Sequence, residues 1–469
     1  MGEQRLDDTP QFGTSGLRGL ARELTDDLVA RYASVFISLF PHNGTLLIGQ
    51  DLRASSQRIA AAVARGAAES GTHAIDCGVL PTPALALAAI ERGTLAIIVT
   101  GSHIPADRNG LKFFRAGGEI TKEDEAALSA AVTHAEFIAS ADPKIEPGDA
   151  LAAYVLRYTG FWAADALKGM RVGVWQHSSA AREVLPELLA AFGAEVVTLG
   201  RSDEFIAVDT EAIGSDIREM LAAWVTERGL AALVSTDGDA DRPLVVDGGG
   251  RVVPGDIIGP IAARALGANR IVTTVSANTL VERMGSFEKV VRCKIGSPFV
   301  IAAMEVSQRE NGVKIIGYEP NGGVILGYEA LRSGRPLAPL MTRDAALPII
   351  AVLEAARESS VRRLVNDLPA RRTATDRLSD VSRGASLALT DALIAADRAV
   401  LPGGLGGILS VDTTDGARVT FESDVIVTVR PSGNAPELRC YVEAESDESA
   451  RAILEATLAK LRAAHLARR

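Results

Sequence analysis

Short apolar runs alternate along the chain with stretches whose apolar positions recur every three or four residues. The first clear copy is TLLIGQDLRASSQRIAAAVARGAAESGTHAIDCG, where Leu46–Gly49 predicts a strand, a helix follows from about Ser55, and Gly71 ends it. The second is MRVGVWQHSSAAREVLPELLAAFGAEVVTLG, with a strand at Val172–Trp175, a helix from near Ser179 and Gly193 after it. A weaker third copy begins NRIVTTVSANTLVERM. Glycine after a helix supplies the left-handed closing residue. Strands alternating with helices imply parallel sheets, and three such units in tandem form a loose internal repeat. The last part differs: SDVIVTVRPSGNAPELRCYVEAESDESARAILEATLAKLRAAHL reads as strand, loop, strand and long helix. The expected organisation is three related α/β domains over 1–150, 151–250 and 251–365, and an α+β domain over 366–469. Gly/Pro-rich stretches, PKIEPGD at 143–149 and VDGGGRVVPGD at 246–256, mark two joints or hairpins.

The length of 469 residues exceeds what one core supports, which agrees with several domains. A net charge of −10 argues against a nucleic-acid partner but not against phosphate ligands, which a few local arginines suffice to bind. Cys77, Cys293 and Cys440 lie far apart and form no CxxC or zinc spacing. No apolar run approaches the roughly 18 residues of a membrane span. The polar, acidic start predicts no signal peptide, and Leu6 excludes the myristoylation pattern. A reducing cytoplasm and a monomer or homodimer are expected.

The strongest chemical signal is STDGDADRP. Asp237, Asp239 and Asp241 alternate after an apolar strand, and three such carboxylates repel one another unless a cation sits among them. Hard oxygen donors select Mg²⁺ or Ca²⁺. An EF-hand would need glycine and glutamate at the sixth and twelfth positions; Arg242 and Gly248 stand there. The bland alternative is a solvated acidic turn. In VRPSGNAPELR a strand ends at Arg430, and Ser432, Gly433 and Asn434 form a tight loop suited to an anion, or to an ordinary hairpin. In IGYEPNGGVILG, Glu319 and Asn321 could exchange hydrogen bonds with sugar hydroxyls, or form a plain turn. VTGSHIPADRNGLKFF places Ser102 and His103 after an apolar strand, with Lys112 following; such a serine can be a nucleophile, a cap or a turn residue. QFGTSGLRGL holds Arg18 between two glycine turns, and CKIGSPF puts Lys294 before a helix. There is no P-loop, no GxGxxG between strand and helix, no HExxH and no GxSxG elbow.

Taken together, FGTSGLRG, TGSHIPADRNGLKF, DGDADR, YEPNGG and RPSGNAPELR resemble, in order and spacing, the motifs of the α-D-phosphohexomutases over essentially the whole chain. The resemblance implies four domains around a central cleft, each contributing one loop. It implies an isomerase that interconverts hexose 6-phosphate and hexose 1-phosphate through a phosphoserine enzyme and a hexose 1,6-bisphosphate. Ser102 matches the phosphorylated serine and His103 the histidine beside it. Asp237, Asp239 and Asp241, with the phosphoserine, match the Mg²⁺ ligands. Arg242 matches an arginine next to the transferring phosphate, and Lys112 and Arg18 match basic groups that assist charge and proton transfer. Glu319 and Asn321 fall at sugar-hydroxyl positions, and Lys294 at a substrate-binding one. Arg430, Ser432, Gly433 and Asn434 match the grip on the distal phosphate. The spelling departs from the family's at several points: Ile104 replaces an asparagine, Gly323 stands where histidine is frequent, and Asn434 stands where threonine is common. Ser15 replaces the aspartate of an FGTDGIRG opening, which favours mannose, and then glucose, over glucosamine. The alternatives are a phosphoglucomutase or phosphoglucosamine mutase within the class, a metal-dependent phosphatase using a phosphoserine intermediate, and a non-catalytic sugar-phosphate-binding regulator.

Overall fold

The computed structural model describes residues 9–135, 143–397, 399–432 and 437–467. Gly433 and Asn434 of the expected phosphate grip lie outside them.

The loose repeat becomes one topology built three times. In the first domain Thr45–Gln50 lies between His73–Val79 and Leu95–Val99, all parallel, and the chain then turns back along Leu95–Val99 as the antiparallel Arg108–Arg115. In the second, Arg171–His177 lies between Glu195–Arg201 and Ala232–Thr236, and Pro243–Asp247 returns antiparallel. In the third, Arg270–Thr274 lies between Lys289–Cys293 and Ile315–Tyr318, and Val324–Leu326 returns. Each candidate loop therefore occupies the same place: the turn from the third parallel strand of a unit into its antiparallel return. The strands leading into these turns, Leu95–Val99, Ala232–Thr236 and Ile315–Tyr318, are buried along their whole length. Strands covered on both faces read as unbroken apolar runs, and their carboxyl ends are where polar loops can open to a ligand.

Two helices differ from the sequence expectation. The second unit's helix spans Val184–Ala191 instead of starting near Ser179. Residues 178–182 are diverted to support the neighbouring acidic loop: Ala180 N donates to Gly238 O at 2.9 Å, and Ser179 Oγ lies 2.5 Å from Thr236 Oγ1. In the third copy the helix is four residues, Leu280–Arg283, closed by left-handed Gly285. The longer helix of that unit, Ser297–Ser307, follows the next strand.

The last domain is an antiparallel sheet in the order Arg372–Ser379, Glu437–Ala444, Ile426–Pro431, Ala417–Phe421, Ile408–Asp412. Helices Arg383–Ile394 and Asp447–Ala467 pack against it. One hydrophobic core runs through the first three domains, joining Leu47, Tyr154, Val172 and Ile316, whereas the fourth domain has its own, around Leu389, Val427 and Leu461.

Candidate active site

The serine loop is shaped from beneath by a residue that carries no motif. Arg53 is buried and paired with buried Asp51, and its guanidinium donates to the carbonyls of Ser102 at 3.0 Å, Ile104 at 2.6 Å, Pro105 at 2.5 Å and Arg108 at 3.0 Å. A β-carbon on Gly101 would come within 2.6 Å of Arg53 Cζ, so only glycine lets the loop lie this close. Ser102 itself is left-handed, with φ of 54°, a costly conformation for serine that is held by its surroundings. Its N–H donates to Thr100 Oγ1 at 2.8 Å. The result is a fully buried serine whose Oγ donates to Asp237 Oδ2 at 2.6 Å and lies 3.3 Å from His103 Nδ1.

The acidic loop brings Asp237, Asp239 and Asp241 together with ligand atoms within 4.8 Å of one another, all three side chains buried. Asp237 Oδ1 accepts the backbone N–H groups of Asp241 and Arg242, each at 3.2 Å, which ties the turn to its own first residue. Lys112 Nζ bridges Asp239 and Asp241 at 2.6 Å each, and Thr82 Oγ1 donates to Asp239 at 2.6 Å. Arg242 Nε lies 3.7 Å from Asp241 and 3.9 Å from Asp237. Burial, with Asp239 and Asp241 beside it, pushes the Asp237 carboxyl well up. Burial acts the same way on Asp239, but Lys112 and Thr82 outweigh it and hold that group down. For Asp241 the opposing charges of Arg343, Lys112 and Arg242 outweigh burial and hold it far below the carboxylate range. Lys112 keeps its proton because Asp239 and Asp241 overcome the cost of burial. Burial, then Arg242 and Arg18, push His103 well down, so its ring is neutral at pH 7.

A divalent cation fits this cluster. Asp239 Oδ1 and Asp241 Oδ1 are buried and accept no hydrogen bond from the described residues, an arrangement costly for carboxylates unless a cation takes them. An all-oxygen set of this kind suits Mg²⁺.

The sugar-loop candidates reach the same cluster through an arginine that no motif signalled. Arg343, on strand Leu340–Asp344, donates to Glu319 Oε2 at 2.6 Å and to Asp241 Oδ2 at 2.7 Å. Asn321 is buried and spends its Oδ1 on Gly323 N–H at 3.0 Å, within the loop. Arg18, on Leu17–Leu20, is close enough for its charge to act on Asp239, Asp241, Arg242 and Arg343. Burial, then Arg242, lower its pKa to about 10.

A second cluster stands apart. Arg430 Nη1 donates to Asp415 Oδ2 at 3.0 Å, and the same oxygen accepts Ile295 N–H at 3.0 Å from the third domain. Lys294 is next to Ile295, exposed, with its Nζ 6.0 Å from the centre of the Phe299 ring. Ser432 N–H donates to Glu437 O at 2.9 Å at the end of the strand carrying Arg430. Thus Ser102, His103, Lys112, Arg18, Arg242, Glu319 and the three aspartates converge, while Arg430, Ser432 and Lys294 make their contacts outside that cluster. Arg53, Thr82, Arg343 and Asp415 were not singled out from the sequence.

Three closely packed α/β units that bring together a serine, an acidic triad and several cations, with a fourth domain beside them, define a phosphohexomutase-type isomerase. The four domain profiles described as phosphoglucomutase/phosphomannomutase, alpha/beta/alpha domains I, II and III and C-terminal domain, match residues 9–139, 152–250, 254–371 and 380–460. The chain belongs to this family, within the α-D-phosphohexomutase superfamily. It is 42% identical to a phosphomannomutase of Sinorhizobium fredii, over 96% of this chain and 98% of that protein. It is also 42% identical to a phosphomannomutase of Salmonella muenchen, over 96% and 95%. The crystal structure of a putative phosphomannomutase from Thermus thermophilus superposes with a TM-score of 0.78 at 26% identity, covering 97% of this chain and all of that one. No helix among the described residues is long and apolar enough to cross a membrane.

Proposed function

We propose that the enzyme interconverts mannose 6-phosphate and mannose 1-phosphate, with glucose phosphates as a second substrate pair, through a phosphorylated Ser102 and a hexose 1,6-bisphosphate. The observation that carries this reading is the Ser102 Oγ to Asp237 Oδ2 contact of 2.6 Å, which sets a buried hydroxyl against a metal-competent triad. The two relatives at 42% identity, both phosphomannomutases, support mannose.

In the first half of the cycle, the free hydroxyl of a bound hexose monophosphate attacks the phosphorus on Ser102. The bond from phosphorus to Ser102 Oγ breaks as the bond to the sugar oxygen forms. The sugar hydroxyl loses one proton and Ser102 Oγ regains one; His103, whose Nδ1 is 3.3 Å from Oγ, is placed to pass it. The bisphosphate turns end for end, and its other phosphoryl group returns to Ser102. When bound by Asp237, Asp239, Asp241 and the phosphoserine, Mg²⁺ supplies positive charge to the transferring oxygens. Arg18, Arg242 and Lys112 supply the rest, and phosphoryl transfer asks for little beyond such positioning and charge. Glu319 and Asn321 meet the sugar hydroxyls. Arg430, with Ser432, Gly433 and Asn434, holds whichever phosphate is not reacting. The domain limit near 150 is supported by Ile145–Pro147, which still pairs with His73–Val79 of the first sheet, and the limits near 250 and 365 are adopted with it.

The test is a kinetic comparison of mannose 1-phosphate, glucose 1-phosphate and glucosamine 1-phosphate, each with Mg²⁺ and a trace of its 1,6-bisphosphate. The expected result is turnover of mannose and glucose phosphates, with kcat/KM for mannose higher by about tenfold, or ~1.4 kcal/mol at the transition state. Preference for glucosamine phosphate, or release of inorganic phosphate without isomerisation, would overturn the reading.

A further inference from the structure

Arg343 is 2% exposed and forks between two loops of different domains, with Nη2 on Asp241 and Nη1 on Glu319. Its place is prepared by the sugar loop: a β-carbon on Gly323 would stand 2.8 Å from Arg343 Cδ and 3.1 Å from its Cβ. Its Nε finds no acceptor among the described residues. Stability is a poor account of such a residue, because an apolar side chain of similar length fills a buried position at least as well as an ion pair. Charge is a better one. Arg343 is a fixed cation between two carboxylates, in a cluster where Lys112, Arg18 and Arg242 also act on the three aspartates. Its removal takes one positive charge away from Asp241 and Glu319.

We infer that Arg343 is a positioning residue with two opposed effects: it aims Glu319 at the hexose hydroxyls, and it restrains metal binding by holding positive charge on Asp241. The inference rests on the reading of Glu319 as a sugar-hydroxyl acceptor. One nitrogen fixes Oε2, which leaves Oε1 as the acceptor. The other nitrogen shares Asp241 with Lys112 and competes with a metal for that carboxylate's charge. Sugar recognition and metal affinity are thereby linked through one side chain, with opposite signs.

The sign difference makes the inference testable. Arg343→Met and Arg343→Lys would be prepared as full chains, matched with wild type for phosphate content by intact mass. Mg²⁺ binding would be read by calorimetry, and KM for mannose 1-phosphate at saturating Mg²⁺. In Arg343→Met, Mg²⁺ should bind tighter by about five- to tenfold, because a like charge beside a ligand is gone. KM should rise by about 30-fold, because Glu319 is no longer held. Arg343→Lys should return Mg²⁺ affinity to near wild type while KM stays high, since a single ammonium cannot fork to two carboxylates. A purely structural residue would weaken both on removal; that result, or an unchanged KM, overturns the inference. If wild type turns over no hexose phosphate, the proposed function fails by itself, and the Mg²⁺ titration still tests the hold on Asp241.

Discussion

The serine end of the site is built on a core shared by three domains, whereas the proposed distal-phosphate grip is carried by a domain with a core of its own. At the first end buried charges answer one another directly: Ser102 on Asp237, Lys112 on Asp239 and Asp241, Arg343 on Asp241 and Glu319. At the second, Arg430 leans on Asp415, and a few polar links cross to the third domain. One set of links is centred on Glu443, which accepts Thr279 N–H at 3.0 Å, the Thr279 hydroxyl, and Arg371 Nε at 2.5 Å. A cavity of about 970 Å³ lined by Arg218, Asp256, Arg372 and Arg451 lies between the fourth domain and its neighbours. The difference fits the two tasks of the proposed cycle. Chemistry needs charges fixed to within a fraction of an ångström, while the proposed grip would have to accept either end of a sugar that has turned around.

The contrast can be broken from either side. Ser102→Ala should abolish isomerisation, by about 10⁴-fold or more in kcat, while calorimetry finds mannose 1-phosphate binding within a few-fold of wild type. Asp239→Asn should lower kcat by about 10²- to 10³-fold and raise the Mg²⁺ concentration needed for half-maximal rate, since it removes one ligand and half of the Lys112 bridge. Arg430→Ala should do the reverse of Ser102→Ala, raising KM about 30-fold, or ~2 kcal/mol, with kcat within threefold, because the grip serves ground and transition states alike. An unchanged KM there would remove the distal-phosphate assignment. The smallest effect is expected of Glu443→Gln, which weakens a charged acceptor shared by Thr279 and Arg371 and should cost about 1 kcal/mol. Hydrogen exchange should quicken in the fourth domain's strands and stay unchanged in Leu95–Val99 and Ala232–Thr236; equal acceleration everywhere would mean one cooperative body.

Much of this was legible in the sequence, for a physical reason. A buried parallel strand is an apolar run, and the loop at its end is polar where it meets a ligand. The candidate serine, metal and sugar loops therefore stood out as punctuation after Leu95–Val99, Ala232–Thr236 and Ile315–Tyr318. What the sequence did not carry was apposition between distant segments. Arg53 sits 49 residues before the serine whose carbonyl it holds, and Arg343 sits 102 residues after the aspartate it meets. Neither lies in a motif, and each leaves only an indirect trace: Gly101 and Gly323, where a β-carbon would strike the guanidinium or its stem. The late start of the helix at Val184 had no trace at all, because Ser179 is a good cap by type and was instead taken by Thr236.

The central claim is that Ser102 carries the phosphoryl group. The direct measurement is to charge the enzyme with radiolabelled mannose 1,6-bisphosphate and Mg²⁺, locate the label by peptide mapping, and then add unlabelled mannose 1-phosphate. The account predicts label on Ser102, absent in Ser102→Ala, and its transfer to the sugar at one equivalent per enzyme. Label on any other residue, or its release as inorganic phosphate when the sugar is added, would contradict it.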